Sequence, residues 1–342
     1  MSGRSRRDDW RRLDEGDVRV RPGRGTRPRS KRRPEHADAR AAMVVGVDRG
    51  RWTCALDGDP SREVVAMRAR ELGRTPIVVG DLVDLVGDTS GRPDTLARVV
   101  RVADRSSVLR RTADDTDPYE RVVVANAEQL IIVCSLADPP PRTGFIDRCL
   151  VAAYTGGLKP VLCLTKSDLA SPDELAGAYA DLDLPIVITR HDEEPDALRK
   201  RLARRVSALV GHSGVGKSTL VNRLVPDADR AIGAVSAIGK GRHTSVTAVA
   251  LPLPGGGWVV DTPGIRSFGL AHVEPDDIVA AFGEFVEAAE ECPPGCGHRG
   301  PPEDPDCMLD VVTADGEATA VRLASLRRLL ASRAGLDDYQ EG

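Results

Sequence analysis

Residues 209–224 read LVGHSGVGKSTLVNRL, and this stretch decides the fold. A mostly apolar run, Val206–Val210, ends in a glycine-rich turn, and Lys-Ser-Thr then opens a helix. Gly211-x4-Gly216-Lys217-Ser218 is the phosphate-loop pattern in the strand–turn–helix context it requires. Its glycines let backbone N–H groups turn inward around phosphate oxygens, where a side chain would block the approach. The helix N-terminus also favours the anion. Gly211, His212, Ser213, Gly214, Val215, Gly216, Lys217, Ser218 and Thr219 are therefore the candidate nucleotide ligands. Lys217 is expected to reach the β- and γ-phosphates and Ser218 to bind Mg²⁺.

The base is read elsewhere. Thr165-Lys166-Ser167-Asp168 ends an apolar run and resembles the Asn-Lys-x-Asp motif of GTPases. In that motif the carboxylate accepts from guanine N1–H and the 2-amino group. Adenine cannot supply both donors, and an unpaired polar group is costly, so Asp168 selects GTP or GDP. Thr165 stands where Asn bonds the base and braces the phosphate loop, so some affinity is expected to be lost.

Two switch-like segments follow the phosphate loop. Asp261-Thr262-Pro263-Gly264, after the run WVV, resembles a DxxG motif. Asp261 would reach Mg²⁺ through water, and the Gly264 N–H would sense the γ-phosphate. Residues 239–247, GKGRHTSVT, resemble a first switch, in which Thr244 or Ser245 offers the hydroxyl that completes Mg²⁺ coordination. The next residue after DTPG is Ile265, where Ras-like enzymes place a glutamine that orients water. Isoleucine cannot hydrogen-bond water, which leaves His243 as the local candidate. The plainer reading is that His243 contacts a partner or stabilises its loop. Lys217, Asp261, Gly264 and His243 form the candidate catalytic set.

The order of these motifs is informative. Ordinary GTPases run phosphate loop, first switch, DxxG and then base motif, whereas here the base motif at 165 precedes the loop at 211. The chain therefore reads as a circularly permuted GTPase domain over 118–274, built from alternating strands and helices around a largely parallel sheet. The second switch then leads directly into the C-terminal module.

Around this domain the composition changes. Of 342 residues, 41% are hydrophobic, enough for cores, and the net charge is −4. Residues 1–42 form a basic tail, with fourteen Lys or Arg against seven Asp or Glu in residues 1–40. It holds too few apolar residues to offset its ordering entropy and is expected to be disordered. It either binds nucleic acid or solubilises the chain. Over 43–113, short β-type runs (MVVGV, RWTCAL, EVVAMRA, PIVVGDLVDLV, TLARVVRVA, SSVLRR) suggest a small β-barrel of the oligonucleotide-binding (OB) type. No run has the length of a membrane span and no signal sequence is evident, so a cytoplasmic chain without membrane contact is expected.

Residues 275–342 read as helical, interrupted by Cys292-x3-Cys296-x-His298-x8-Cys307. Three thiols and an imidazole suit one tetrahedral, structural Zn²⁺. Cys54, Cys134, Cys149 and Cys163 sit in apolar runs and read as core residues. The last helix, TAVRLASLRRLLASR, reads as a packing helix with a solvated arginine face, or as one that meets RNA phosphates.

Together GHSGVGKSTLVN, TKSDL, GRHTS, DTPGIRSFGL, the Cys/His cluster and the leading barrel resemble the RsgA (YjeQ/EngC) family, the small-subunit-dependent GTPases of bacteria. That resemblance implies a multidomain α/β chain: an N-terminal OB-like barrel, a permuted P-loop GTPase domain and a C-terminal helical zinc-binding domain. It implies GTP and GDP as ligands, Mg²⁺ with GTP, and late maturation of the 30S subunit. Hydrolysis stimulated by that subunit and contacts to 16S rRNA belong to the same expectation, and a monomer is expected. The usual ligand spacing in the family is C-x4-C-x-H-x5-C, so the loops here are one residue shorter and three longer. A second reading is an RNA-binding assembly protein in which nucleotide sets affinity and hydrolysis is incidental.

Overall fold

The computed structural model describes residues 36–48, 50–111, 120–180, 182, 184–226, 228, 248–262, 268–270, 272–312 and 317–334. Residues 1–35 of the basic tail, His243, Thr244, Ser245 and Gly264 lie outside that set.

Five strands close the barrel: β1 (Arg40–Asp48), β2 (Arg51–Leu56), β3 (Asp59–Arg68), β4 (Leu82–Gly87) and β5 (Ala97–Val102). Their order is β1-β2-β3-β5-β4, and β4 pairs back onto β1. Alternation decides which residues face inward. Val44, Trp52, Cys54, Leu56, Val64, Ala66, Val83, Leu85, Ala97 and Val99 fill the lumen at every second position. Trp52 meets the need of its indole by donating Nε1–H to the Ile77 carbonyl at 3.1 Å. The first strand opens at Arg40, three residues inside the stretch assigned to the tail. The run SSVLRR is not a barrel strand. It forms β6 (Val108–Arg111), which pairs antiparallel with β7 (Arg121–Ala125) in a separate ribbon.

The ribbon and the barrel meet at one glycine. Gly80 has φ +90°, and a Cβ there would lie 1.9 Å from the Ala125 carbonyl oxygen. Its N–H donates to Val44 O at 2.8 Å, while Asn126 Nδ2 donates to its carbonyl at 2.9 Å. No other residue type fits this crossing.

The second layer system is a six-stranded α/β sheet. Its strands are β8 (Gln129–Ser135), β9 (Lys159–Thr165), β10 (Ile186–Ile188), β11 (Val206–Val210), β12 (Val249–Pro252) and β13 (Trp258–Asp261). They lie in the order β10-β9-β8-β11-β13-β12, all parallel except β12. Counted from the phosphate-loop strand β11 and read from the β12 edge, the spatial order is second, third, first, fourth, fifth, sixth, with the fourth to sixth strands (β8, β9 and β10) coming earlier in the chain. The permutation read from motif order is therefore present in the sheet. Strand β12 also touches β1 through the pair Gly46–Val249, which carries the sheet onto the barrel. Every residue of β8 is buried, as expected for a central parallel strand covered on both faces. Cys54 and Cys163 are buried in these cores, and burial pushes both thiols up to about 12, so neither is a reactive cysteine.

Helix α1 (Thr143–Thr155) connects β8 to β9 and has two apolar loyalties. Ile146, Cys149, Leu150 and Ala153 face the sheet core, while Val151 belongs to the C-terminal core with Leu270, Phe282, Phe285, Leu326 and Leu330. That second core is built by the helix Pro275–Ala280, the turn Gly283–Phe285 and the final helix Glu317–Arg333. The solvated arginine face expected on the final helix is found only in part: Arg328 is exposed, whereas Arg322 is taken into the interior. Arg322 is 5% exposed. It donates to Asp147 of α1 at 2.7 Å and to Glu284 at 3.0 Å, and its guanidinium lies 4.2 Å from the Phe282 ring centroid. Tyr179 donates to the same Asp147 oxygen at 3.0 Å. Arg327 forks onto Asp310 at 2.8 and 2.9 Å. Both arginines have carboxylate partners within the fold, Arg322 buried and Arg327 partly exposed. Among the described residues no helix is long and apolar enough to cross a membrane.

Because Asp147 and Arg322 are both buried, removing one leaves the other charge without compensation. Arg322→Met is expected to cost about 3–5 kcal/mol. Arg62→Met, whose pair with Asp59 is solvent-exposed, should cost less than about 1 kcal/mol. Denaturant unfolding of the two variants checks this, and equal small losses would rule out Arg322 as a joint between the layers.

Candidate nucleotide and metal sites

Strand β11 delivers the phosphate loop to the C-terminal edge of the sheet, the edge at which parallel α/β sheets bind ligands. Each glycine there has its own reason. A Cβ on Gly211 would lie 2.7 Å from the Val133 carbonyl of the neighbouring β8, while Gly214 and Gly216 have φ of +84° and +88°. Val215 faces down into the core, so the loop exposes backbone on one side and packs on the other. Helices α2 (Asp173–Gly177) and α3 (Asp196–Leu202) precede the loop, and helix α4 (Lys217–Leu224) starts directly after Gly216. His212 is used for packing: its ring centroid lies 4.2 Å from that of Phe145 on α1.

The ion pair at the centre is Lys217 Nζ with Asp261 Oδ1, both largely buried. Asp261 is the last residue of β13, and the next side chain, Thr262, donates its hydroxyl to the Leu209 carbonyl. The DxxG aspartate is thus fixed beside the loop lysine by the strand that carries the loop. A cation and an anion held together here match in opposite sense the phosphates and the divalent ion of a Mg²⁺–triphosphate.

On the other side of α4 lies a pocket of about 290 Å³ between Thr165–Leu169, Thr189–His191 and the helix residues Thr219, Leu220 and Arg223. The backbone turns sharply at Lys166, with φ +60°, which throws Asp168 out beyond the strand end. Lys166 Nζ donates to the Asp138 carbonyl, and Ser167 Oγ donates to Thr189 O at 3.3 Å. Asp168 Oδ1 accepts from the His191 N–H at 3.4 Å, and the carboxylate otherwise faces the open pocket. Thr165 Oγ1 donates to the Val215 carbonyl at 2.7 Å. The hydroxyl therefore braces the phosphate loop, so the loss of affinity expected at this position does not arise from a missing brace.

The turn Thr189–His191 escaped sequence reasoning. Its signal was a polar turn after the parallel run PIVI, placed to meet the base loop. Arg223 fixes it by donating to Arg190 O at 3.1 Å and Glu193 O at 2.8 Å.

The metal-type cluster is assembled. One ligand atom each of Cys292, Cys296, His298 and Cys307 lies within 4.8 Å of the others. His298 Nδ1 stands 3.4, 3.7 and 4.0 Å from the three sulfurs. Zn–S and Zn–N bonds of about 2.3 and 2.0 Å at a tetrahedral angle put S and N about 3.5 Å apart, so the donor set fits zinc. Two thiol sulfurs also accept backbone N–H bonds, Cys296 from His298 at 3.4 Å and Cys292 from Met308 at 3.3 Å. The long eight-residue loop is folded back by Asp304, which accepts from Gly297 N at 3.1 Å and Arg299 N at 3.0 Å. Arg327 Nε donates to the His298 carbonyl at 3.1 Å. The unusual spacing thus still brings Cys307 to the cluster. Neither Asp304 nor Arg327 was identified from the sequence, where DPD and LRRLL carry no metal-site pattern.

Residues 102–271 match the model of the family described as RsgA GTPase. "Small ribosomal subunit biogenesis GTPase RsgA" of Ectopseudomonas mendocina is 41% identical over 251 residues, covering 70% of this chain and 71% of that protein. The crystal structure of YjeQ from Thermotoga maritima superposes with a TM-score of 0.68 at 27% identity, covering 87% of this chain and 99% of that one. The crystal structure of YloQ, described as a circularly permuted GTPase, gives 0.65 at 18% identity, covering 90% and 100%, and so supports the fold. With a permuted sheet, a joined base and phosphate site, and a relative this similar over most of its length, the chain belongs to the RsgA family of GTPases.

Proposed function

We propose that this GTPase acts in late maturation of the small ribosomal subunit, binding the 30S particle and 16S rRNA, and that the particle stimulates hydrolysis of GTP to GDP and phosphate. The observation that carries the reading is the Thr165–Val215 hydrogen bond, which joins a guanine-type reader to a phosphate loop in one site. The relative's name supplies the small subunit as partner. The closed five-stranded barrel has the strand order of nucleic-acid-binding barrels. The chain works as a cytoplasmic monomer.

In this reading Asp168 accepts from the guanine edge, and Lys217 leaves Asp261 to meet the β- and γ-phosphates. Ser218, with Thr244 or Ser245, would hold Mg²⁺ with Asp261 acting through water, and the Gly264 N–H would meet the γ-phosphate. Mg²⁺ supplies charge neutralisation on the phosphates. Ile265 offers no hydrogen bond to the attacking water, so His243 orients it, and turnover without a partner is slow. Zinc on Cys292, Cys296, His298 and Cys307 is structural, because four protein ligands leave no open position.

Hydrolysis measured with and without purified 30S subunits tests the reading. Stimulation of at least about tenfold is expected for the wild type, since groups supplied in trans raise GTPase rates by several orders of magnitude. Lys217→Ala should abolish it, and a wild-type rate indifferent to 30S would sink the proposal.

His243→Ala should keep GTP binding while stimulated turnover drops on the order of 10²-fold. Unchanged stimulated turnover would take His243 out of the mechanism.

Metal analysis of the purified chain should find one zinc, and chelation should melt the Cys292–Cys307 loop while the barrel and sheet stay folded. A zinc-free chain with the same near-UV spectrum and the same proteolysis pattern as the native one would refute the structural role.

A further inference from the structure

Asp147 and Arg148 are neighbours on α1, and both reach the C-terminal helix. Asp147 takes Arg322, as described above. Arg148 is 7% exposed, and two of its guanidinium bonds matter here. Nη1 donates to the carbonyl of Phe268 at 3.3 Å, and Nη2 donates to Ser332 Oγ at 2.7 Å. Phe268 follows Gly264 of the DxxG motif by four residues. Its ring is 1% exposed in the sheet core, whereas Leu270, two residues on, is already in the C-terminal core. Upstream of Gly264 the chain is held by buried Thr262, whose hydroxyl bonds the phosphate-loop strand. The downstream anchor is Phe268, and its backbone is held by the same guanidinium that holds the final helix.

We propose that Arg148 is a positioning residue for GTP hydrolysis: by binding Phe268 O and Ser332 Oγ on one guanidinium, it ties the downstream end of the DxxG segment to the helix that seats the zinc module. A planar fork suits this task because its donors diverge at a fixed angle, so two acceptors on different elements are set relative to each other. Burial strengthens both bonds and makes either one costly to leave unmade. The coupling is reciprocal. A nucleotide that alters the DxxG segment changes the seating of the helix, and a partner that grips the helix changes the DxxG segment. The proposal rests on the GTPase activity and extends the reading above, but its test needs no ribosomal particle.

Single-turnover GTP hydrolysis and GDP affinity are measured on the full chain alone, for wild type, Arg148→Met, Arg148→Lys and Ser332→Ala. Arg148→Met should slow hydrolysis about tenfold with GDP affinity within about twofold, the pattern of lost transition-state positioning. Arg148→Lys, a point charge without the fork, should fall between it and the wild type, and Ser332→Ala should shift the rate in the same direction by less. Amide exchange in Glu317–Arg333 should differ between GDP and a non-hydrolysable GTP analogue in the wild type and not in Arg148→Met. A wild-type rate in folded Arg148→Met overturns the proposal, as does a joint fall of rate and GDP affinity, which marks general loss of structure. If Arg148→Met does not fold, wild-type rates in both Arg148→Lys and Ser332→Ala overturn it, as does nucleotide-independent exchange in the wild type. Absence of 30S stimulation would remove the functional reading and leave this result standing.

Discussion

The hydroxyl of Thr165 donates to the carbonyl of Val215, and the nucleotide site depends on this bond. The phosphate loop is a backbone structure whose peptide groups must stay aligned without a ligand to hold them. Its packing comes from Val215 below, and its lateral position from β9, which lies two strands away in the sheet. A hydroxyl supplies the one donor this brace needs. The amide of an asparagine would supply the brace and an extra polar group toward the base. Thr165 keeps the first and gives up the second, which leaves base selection to Asp168 and to the backbone of Thr189–His191.

The same bond explains why the permutation is tolerated. What the site needs is β9, β11 and β13 ending at one edge of the same sheet, and hydrogen bonds between strands are indifferent to the order in which the chain visits them. The rejoined end is short and tightly made. Helix α3 (Asp196–Leu202) stops four residues before β11, and Arg204 N and Arg205 O pair with Gly256 O and Trp258 N in the adjoining turn. A Cβ on Gly257 would lie 2.6 Å from the backbone of Arg205, so the two turns interlock as bare backbone. The cost of reordering is therefore confined to one local joint.

How much of this was legible in the sequence follows from how local each signal is. The phosphate loop, TKSD and the cysteine cluster are short patterns whose chemistry is set by spacing, and they predicted their own neighbourhoods. The barrel strands announced themselves by alternation, yet SSVLRR carries the same alternation and belongs to a ribbon, because pairing is a long-range choice. Strands β7 and β12 passed unnoticed for the same reason: RVVVA and VALP become strands by lying against β6 and β13. The metal cluster shows the limit from the other side. Its spacing departs from the family pattern, and the compensation comes from Asp304 and Arg327, residues with no mark in the sequence that gather the loop through backbone N–H and C=O groups.

The final helix marks where a sequence pattern misleads. Leucines on one side and arginines on the other suggest an apolar core and a wet basic face. For Arg322 the reading fails, because α1 brings Asp147 beneath the helix and makes a buried place for its guanidinium, while Arg328 stays exposed. That place is imperfect: Asp147 Oδ2, Glu284 Oε2 and Arg322 Nη2 find no partner among the described residues. An apolar contact of the same size would be at least as stable, but one leucine ridge can slide over another, whereas a charge pair can meet in only one register. Arg322 on Asp147 and Arg148 on Ser332 fix two points of the helix about ten residues apart. Two fixed points on a rigid rod define its direction. The module carried by that rod is therefore aimed by α1, which itself starts at the edge of the nucleotide site.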